Sequence, residues 1–578
     1  MNKKKTFHEI VLEVRNGKIF RFLVVILFFV MVIILRLFYL QVHDNSRFAR
    51  LGKRNFLRTE RIPSRRGSVR DCHGNLLATN SPVFDLYWHG TGAHSLSRAQ
   101  KKSIDKLMAI LGADCVVYKK LARAERFSRH VLLKKDLTKD ELCQISEQCS
   151  GVPNLVIDRH FKRVYPYKKF ASHVLGYLRK AQDRGSFTGL SGLEGLFQKD
   201  LQGEAGYVQH MTNAMGRRLA QIDLREAVDG ADVTLTLDTM MQRIAENLFV
   251  EGQAGAFVVM DPEDGAIRAM VSWPSFDPNL FLSPISEDEW SERLMMNSPL
   301  LNRAINALYP PASIFKLVTF VAGLEEGVIT TDTEFTCEGY TVFGGRKYNC
   351  QRRWGHGVQS AKKALGVSCN IPCYEIAKKI TIDQLAAYAM RFGLGQTTGF
   401  LFHDKSGLVP TSYWKQAHKG ERWWKGETLS VGIGQSFLLV SPLQVVRMVA
   451  SISNGFLVKP RILENEEVER YPLYVSDETL NFLREVMKEV VLRGTGRRLR
   501  SFSDFSICAK TGTAQIVSLQ KQKKGSKKQL EHAWFASYFS YKNAKPLAMV
   551  VLVENAGSSR PALQIANKFF SLYRKVLS

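Results

Sequence analysis

Between Phe22 and Leu40, nineteen consecutive residues carry a single charge, Arg36. About twenty apolar residues in a helix cross the hydrocarbon of a bilayer, so this chain is committed to a membrane before any globular part begins. A cleaved signal peptide needs small residues where Arg36, Leu37, Phe38, Tyr39 and Leu40 stand, and an uncleaved anchor is therefore expected. Arg36 would snorkel to the outer interface. Basic residues lie on both sides: Lys3, Lys4, Lys5, Arg15, Lys18 and Arg21 before, Arg47, Arg50, Lys53, Arg54 and Arg58 after. Their count does not orient the span. A short basic tail stays in the cytoplasm, whereas a large following domain translocates largely regardless of charge, which puts residue 43 onward outside.

No second span follows. The longest later apolar run, Leu547 to Val553, has the length and valine content of a buried strand. With 45% hydrophobic and 23% charged residues, the chain is neither a many-pass membrane protein nor disordered. Lys plus Arg exceed Asp plus Glu by 81 to 54, a formal charge of +27 that calls for a polyanionic neighbour. Zinc-finger spacing, a Walker loop, a GxGxxG after a strand and an aromatic RNA-binding signature are all missing, so no nucleic acid is expected and the cell envelope is favoured.

Four domains are expected: a cytoplasmic tail at 1–21, a transmembrane helix at 22–42, an irregular basic module at 43–230 and a catalytic domain at 231–578. Within the last, Ala256 to Met260, the turn Asp261 to Gly265 and Ala266 to Val271 read as strand, turn, strand. Further strands are expected at Ser506 to Ala514, Ala533 to Phe539 and Leu547 to Val553, with helical patterns between. Leu563, Ala566, Phe569, Phe570, Tyr573 and Val576 fall on one face of a terminal helix. This is an α+β pattern of helices on an antiparallel sheet. The run Lys521, Lys523, Lys524, Lys527 and Lys528 reads as a solvated hairpin loop.

The chemistry starts at Tyr309-Pro310-Pro311-Ala312-Ser313-Ile314-Phe315-Lys316. Prolines ahead of an apolar periodic run signal a helix start, and residues three apart share a helical face, so the Ser313 hydroxyl and the Lys316 amine can meet as nucleophile and base. A first helical turn also offers N–H groups and a positive dipole end to an oxyanion. Two later elements belong with this pair: Ser368-Cys369-Asn370, and Lys510-Thr511-Gly512-Thr513 on an expected strand. Gly512 would let a substrate backbone lie along the strand edge, while Lys510, Thr511 and Thr513 would hold a terminal carboxylate. A second charge at Lys510, together with burial, would lower the pKa of Lys316. Ser368 would relay a proton to the leaving amine and Asn370 would hold the substrate amide.

These three elements, in this order, resemble the class B penicillin-binding proteins, monofunctional peptidoglycan D,D-transpeptidases. The similarity extends to Gly255 to Pro278, Asn302-Arg303-Ala304 and Ser430 to Ser436. In the exported module it covers Arg66-Gly67-Ser68-Val69-Arg70-Asp71, Arg163-Val164-Tyr165-Pro166 and Gly192-Leu193-Glu194-Gly195. Departures are Ala312 and Ser436 where Gly is usual, and Cys72-His73 before Gly74. The resemblance implies a pedestal or dimerisation module at 43–230 and a transpeptidase domain with a five-stranded antiparallel sheet and an all-helical subdomain. It implies that Ser313 is acylated by the penultimate D-Ala of a stem peptide and resolved by an amine of another stem. β-Lactams would be covalent inhibitors, and the Ser313 and Thr513 N–H groups the oxyanion hole. No cofactor is needed for that chemistry. A separate polytopic glycosyltransferase, among other elongation-complex membrane proteins, is the implied partner.

Nine cysteines are many for an exported chain. Cys337, Cys350, His356 and Cys369 are soft ligands that suit tetrahedral zinc, although intervals of twelve, five and twelve residues match no common finger. A Cys337 to Cys350 disulfide is the alternative. Cys350-Gln351-Arg352-Arg353-Trp354-Gly355-His356-Gly357 resembles the elongation, rod-shape type, some members of which bind zinc at four equivalent places. A structural zinc there would anchor the loop bearing Ser368 and Asn370. A septal transpeptidase, a D,D-carboxypeptidase, a β-lactamase, and a non-enzymatic β-lactam-binding scaffold or sensor are the other readings of the same residues.

Overall fold

The computed structural model describes residues 7–46, 48, 52, 56–112, 118–127, 129–149, 152, 154–180, 187–212, 218–515 and 530–577. They form two compact units, one of Met1–Arg65, Ser81–Lys162 and Gly203–Asp229, the other of Arg66–Asn80, Arg163–Gln202 and Gly230–Ser578.

In the first unit a helix over Phe7–Phe38 continues through a π-helical turn, Tyr39–His43. Its stretch Ile19–His43 is 25 residues long, with a mean hydropathy of 3.0 over an 18-residue window, and none of that window is buried against protein. Bare apolar side chains on every face suit lipid and not water. Farther along, Leu57–Ile62, Gly206–Thr212 and Arg218–Arg225 form a three-stranded antiparallel sheet. A small separate core gathers Leu86, Trp88, Ile104, Leu107, Leu121 and Ile145. The helices Arg98–Leu111 and Lys139–Gln148 that feed it both open on capping boxes, Ser97 with Gln100 and Thr138 with Glu141.

The second unit is organised by a five-stranded antiparallel sheet. Its strands are β1 (Gly255–Met260), β2 (Ile267–Trp273), β3 (Phe505–Ala514), β4 (His532–Tyr541) and β5 (Leu547–Val553), in the order β2-β1-β5-β4-β3. Every residue of β1 is buried because both faces are covered. Ala256, Val258 and Met260 face a core that includes helix α2 (Pro442–Asn454), while Phe257 and Val259 face the terminal helix α4 (Arg560–Leu577). That is why β1 and β5 read as unbroken apolar runs instead of alternating ones. Phe569 and Phe570 of α4 are fully buried, each contributing about 1.5–3 kcal/mol relative to exposure. Val576 departs from the expected face: it is 47% exposed, since the helix runs past the sheet there, and Ile565 and Ala562 take inward places.

Strand β3 is the sheet edge. It pairs with β4 alone, with Lys510 opposite Ala536 and Gly512 opposite Trp534. The expected edge position of Lys510-Thr511-Gly512 is thus observed. The lysine run at 521–528, expected in the loop joining these two strands, lies outside the described residues.

The motif segments around Arg66, Arg163 and Glu194 all belong to this second unit. Buried Glu194 accepts from Arg66 Nε at 2.6 Å, Arg163 Nε at 2.8 Å and Tyr165 Oη at 3.0 Å. A carboxylate this deep is tolerated because both oxygens are paired.

Candidate active site

Ser313 lies in a 3-10 turn, Ala312–Ile314, and helix α1 (Lys316–Glu325) begins only at Lys316. The serine is therefore just ahead of the α-helix and not in its first turn. Two departures noted in the sequence now have a physical meaning. Ala312 has φ +50° and Ser436 has φ +73°, both in the left-handed region where glycine is at ease. Ala312 is held there by its N–H on Gly434 O at 2.9 Å. An L-residue in this region costs about 1–2 kcal/mol, while glycine gives back about 0.4–1 kcal/mol in unfolded-state entropy. Ala312→Gly is accordingly expected to raise stability by about 0.5–1 kcal/mol, read as an increase in unfolding midpoint.

The turn packs against β3. A Cβ on Gly512 would lie 3.2 Å from Trp534 Cβ, 3.3 Å from Pro311 O and 3.4 Å from Ile314 Cγ1. Besides any substrate role, Gly512 lets the turn bearing Ser313 close on the strand. Trp534 Nε1 fixes the same turn by donating to Pro310 O at 2.9 Å. Gly512→Val should displace the turn and cost about 1–3 kcal/mol, with a matching fall in unfolding midpoint and in the acylation rate.

Lys316 and Lys510 are both fully buried. Lys316 Nζ donates to Ser368 O at 2.6 Å and Asn370 Oδ1 at 2.7 Å, and lies 3.3 Å from Ser368 Oγ. Lys510 Nζ donates to Ser368 Oγ at 2.9 Å and Thr511 O at 3.1 Å. One serine hydroxyl thus sits between two amines. Burial lowers the Lys316 pKa, against an opposing pull from nearby cysteines. Burial pushes Lys510 well below the usual lysine range, and the charge on Lys316 adds to that fall. The repulsion between the two ammonium groups is mutual, so it disfavours charging both of them at once. The hydrogen-bond partners of Lys510 Nζ are thus the Ser368 hydroxyl and a backbone carbonyl.

Ser313 is half-buried, and among the described residues its hydroxyl has no hydrogen-bond partner. It is an unengaged hydroxyl three residues ahead of the buried Lys316. Ser368 has φ +60°, a strained conformation that aims a buried side chain at both lysines. Asn370 is held by Asn349 O, which accepts from its Nδ2 at 3.0 Å. Thr511 Oγ1 is 2.6 Å from Thr495 Oγ1, and Thr513 is half-buried at the strand edge.

Sequence reasoning missed Thr495, whose only signal is its place between Gly494 and Gly496. Glu554 was missed too. Its Oε1 accepts from Tyr309 Oη at 2.6 Å and Arg303 Nε at 2.9 Å, tying the start of the nucleophile segment to the end of β5. Cys373 lies buried behind the lysines with its thiol pushed up to about 12 by burial.

Cys337, Cys350, His356 and Cys369 converge, their donor atoms all within 4.8 Å of one another. His356 Nδ1 is 3.5 Å from Cys337 Sγ and 3.6 Å from Cys350 Sγ, and Cys350 and Cys369 Sγ are 3.7 Å apart. Tetrahedral bonds of about 2.3 Å to sulfur and 2.0–2.1 Å to nitrogen give edges of about 3.8 and 3.6 Å, so the four donors fit zinc. All eight described cysteines are free. The alternative Cys337 to Cys350 disulfide is not formed, because both sulfurs turn toward His356. Cys350 and Cys369 share an S···S hydrogen bond, which holds one thiol, that of Cys350, down and pushes the other up.

An unengaged serine three residues ahead of a buried lysine, packed on a strand edge that carries a second buried lysine, is an arrangement that suits serine acyl transfer. Comparison with known proteins agrees. Residues 255–571 match the penicillin binding protein transpeptidase domain and 61–235 the penicillin-binding protein dimerisation domain. The peptidoglycan D,D-transpeptidase MrdA of Haemophilus influenzae is 31% identical over 94% of this chain and 89% of its own length. That of Acinetobacter baumannii is 30% identical over 97% and 88%. Among solved structures, PBP2 in its complex with MreC from Helicobacter pylori has a TM-score of 0.76 at 27% identity, covering 90% of this chain and 99% of that one. A peptidoglycan synthase complex that coordinates polymerization and crosslinking gives 0.75 at 30%, covering 97% and 99%. The chain belongs to the class B penicillin-binding proteins, the peptidoglycan D,D-transpeptidases of elongation type.

Proposed function

We propose that Ser313 is the nucleophile of this transpeptidase and Lys316 its base. Neutral Lys316 takes the Ser313 proton as Oγ attacks the carbonyl of the penultimate D-Ala. The C–N bond then breaks, and the leaving amine of D-Ala receives a proton through Ser368 Oγ. An incoming amine from a second stem attacks the ester, giving up a proton along the same path and restoring the Ser313 hydroxyl. The carrying observation is Ser368 Oγ, 2.9 Å from Lys510 and 3.3 Å from Lys316. Asn370 orients the substrate amide, Thr511 and Thr513 receive the terminal carboxylate, and the Ser313 and Thr513 N–H groups hold the oxyanion. Labelling with a fluorescent penicillin and mass mapping of the digest tests this: the adduct is expected on the peptide containing Ser313, and an adduct elsewhere sinks the assignment.

The same reading puts a structural zinc on Cys337, Cys350, His356 and Cys369. When bound, the metal supplies cross-linking of the loop to the Ser368 segment, not reaction chemistry. Cys350 Sγ already accepts from Asn370 N at 3.5 Å, which links this cluster to the site. We expect one zinc per chain by elemental analysis, and Cys350→Ser to lose it with a fall of roughly 5–10 °C in unfolding midpoint.

The apolar helix is assigned as a single-pass anchor in the cytoplasmic membrane, with residue 43 onward on the outer face. PBP2 bound to MreC and a synthase complex that coordinates polymerization and crosslinking support partners in peptidoglycan assembly, and the family resemblance makes them elongation-complex membrane proteins, including a polytopic glycosyltransferase.

A further inference from the structure

The structure presents one aromatic ring that the chemistry above does not use. Trp354 is 89% exposed, and among the described residues no ring or cation stacks on it. A loop that simply flops into solvent would explain this, but the backbone around Trp354 is fixed. Gly355 N donates to Arg352 O at 3.1 Å, and Gln351 Nε2 donates to Val367 O at 2.8 Å. A Cβ on Gly355, where φ is +80°, would lie 2.1 Å from Cys337 O, and one on Gly339 would lie 2.1 Å from Arg353 O, so two backbone segments are in direct contact. Cys350 and His356 close the loop at its base. The indole is held out on a rigid support.

The loop is also joined to the substrate side of the active site. Asn349 O and Cys350 Sγ both accept from Asn370. Trp354 is four residues from Cys350, so its Cα lies within about 15 Å of that of Cys350 at about 3.8 Å per residue, and Cys350 itself touches Asn370. Arg352 and Arg353 beside it are exposed and, among the described residues, make no ion pair. A protein-binding hot spot surrounds its tryptophan with other apolar side chains that exclude water. Its neighbours along the chain are Gln351, Arg352, Arg353 and Gly355, which are polar or bare. A lone ring face among cations suits a pyranose, whose C–H groups carry the positive edge that the π face attracts, with carboxylates nearby for the guanidinium groups.

We propose that Trp354 is a saccharide platform: it stacks on the glycan strand of the peptidoglycan whose stem peptide enters the Ser313 site, and Arg352 and Arg353 contact that strand's carboxylates. This rests on the transpeptidase reading of the site. Binding energy gathered so far from the reacting bond serves to position the stem peptide, which is how remote contacts raise the rate with a natural substrate.

The test uses the full chain in detergent and peptide-free glycan strands as the probe. Wild-type protein should bind the strands, Trp354→Ala should bind about tenfold more weakly, and Trp354→Phe should recover most of the loss. Penicillin carries no saccharide, so its acylation rate at Ser313 should stay within about twofold in both variants while KM for polymeric substrate rises about tenfold in Trp354→Ala. Equal glycan binding by wild type and Trp354→Ala overturns the proposal. A parallel fall in penicillin acylation also overturns it, because Trp354 would then act by holding the Asn370 loop. If wild type binds glycan through Trp354 but is never acylated at Ser313, the catalytic reading falls and the saccharide contact stands.

Discussion

Ser313→Ala yields a protein that folds normally and carries no covalent adduct after prolonged exposure to penicillin. Acyl transfer needs a bond from Oγ to the substrate carbonyl, and two neighbouring hydroxyls are engaged elsewhere: Ser368 Oγ by Lys510, and Thr511 Oγ1 by Thr495. Loss of a nucleophile of this kind typically costs about four orders of magnitude or more in rate. Stability should hardly change. The Ser313 hydroxyl has no hydrogen-bond partner among the described residues, so its removal strands nothing, and a shift within about 0.5 kcal/mol is expected. Intact-protein mass and a thermal melt read the two halves. A retained adduct, or a melt lowered by many degrees, contradicts the assignment.

Lys316→Met has nearly as large an effect for a different reason. Methionine fills the buried channel but cannot accept the Ser313 proton, and general-base removal typically costs about 10²–10⁴ in rate. Its stability effect has two opposing parts. Ser368 O and Asn370 Oδ1 lose donors at 2.6 and 2.7 Å, about 1–3 kcal/mol each at most. Against this, an unfavourably buried ammonium is removed, so the net change should be smaller than the sum.

The two proteins should differ most in pH dependence. Burial disfavours the ammonium of Lys316, so its folded pKa lies below the unfolded value of about 10.4. Acylation is then present above the folded pKa and lost as pH falls through it. The unfolded chain binds more protons between the two values, so folding stability rises with pH across that window. Lys510, lowered by burial and by Lys316, acts in the same direction. In Lys316→Met the main limb of the acylation profile should flatten, and a profile identical to wild type would remove Lys316 as the base.

Much of this was legible locally. The anchor is a run of apolar residues with no partner, and its length alone sets what it can cross. Strands β1 and β5 announced themselves by valine-rich runs because both sheet faces are covered. Val576 failed because a periodic pattern continues beyond the point where the sheet stops. The glycines usual at positions 312 and 436 were visible as departures, but only backbone angles show that Ala and Ser occupy left-handed conformations there.

Residue order supplied the residues proposed as nucleophile and base and the strand packed against their turn, since each is recognised from neighbours a few positions away. It offered Ser368 as a relay but not the contact between Ser368 and Lys510. Lys510 and Ser368 are 142 residues apart and meet only after the strand edge and the helical part have packed. The lowered lysine pKa values, the gathering of Cys337, Cys350, His356 and Cys369, and the exposure of Trp354 likewise arise from which groups lose water on folding. Desolvation is a property of the assembled interior, and no short stretch of chain carries it.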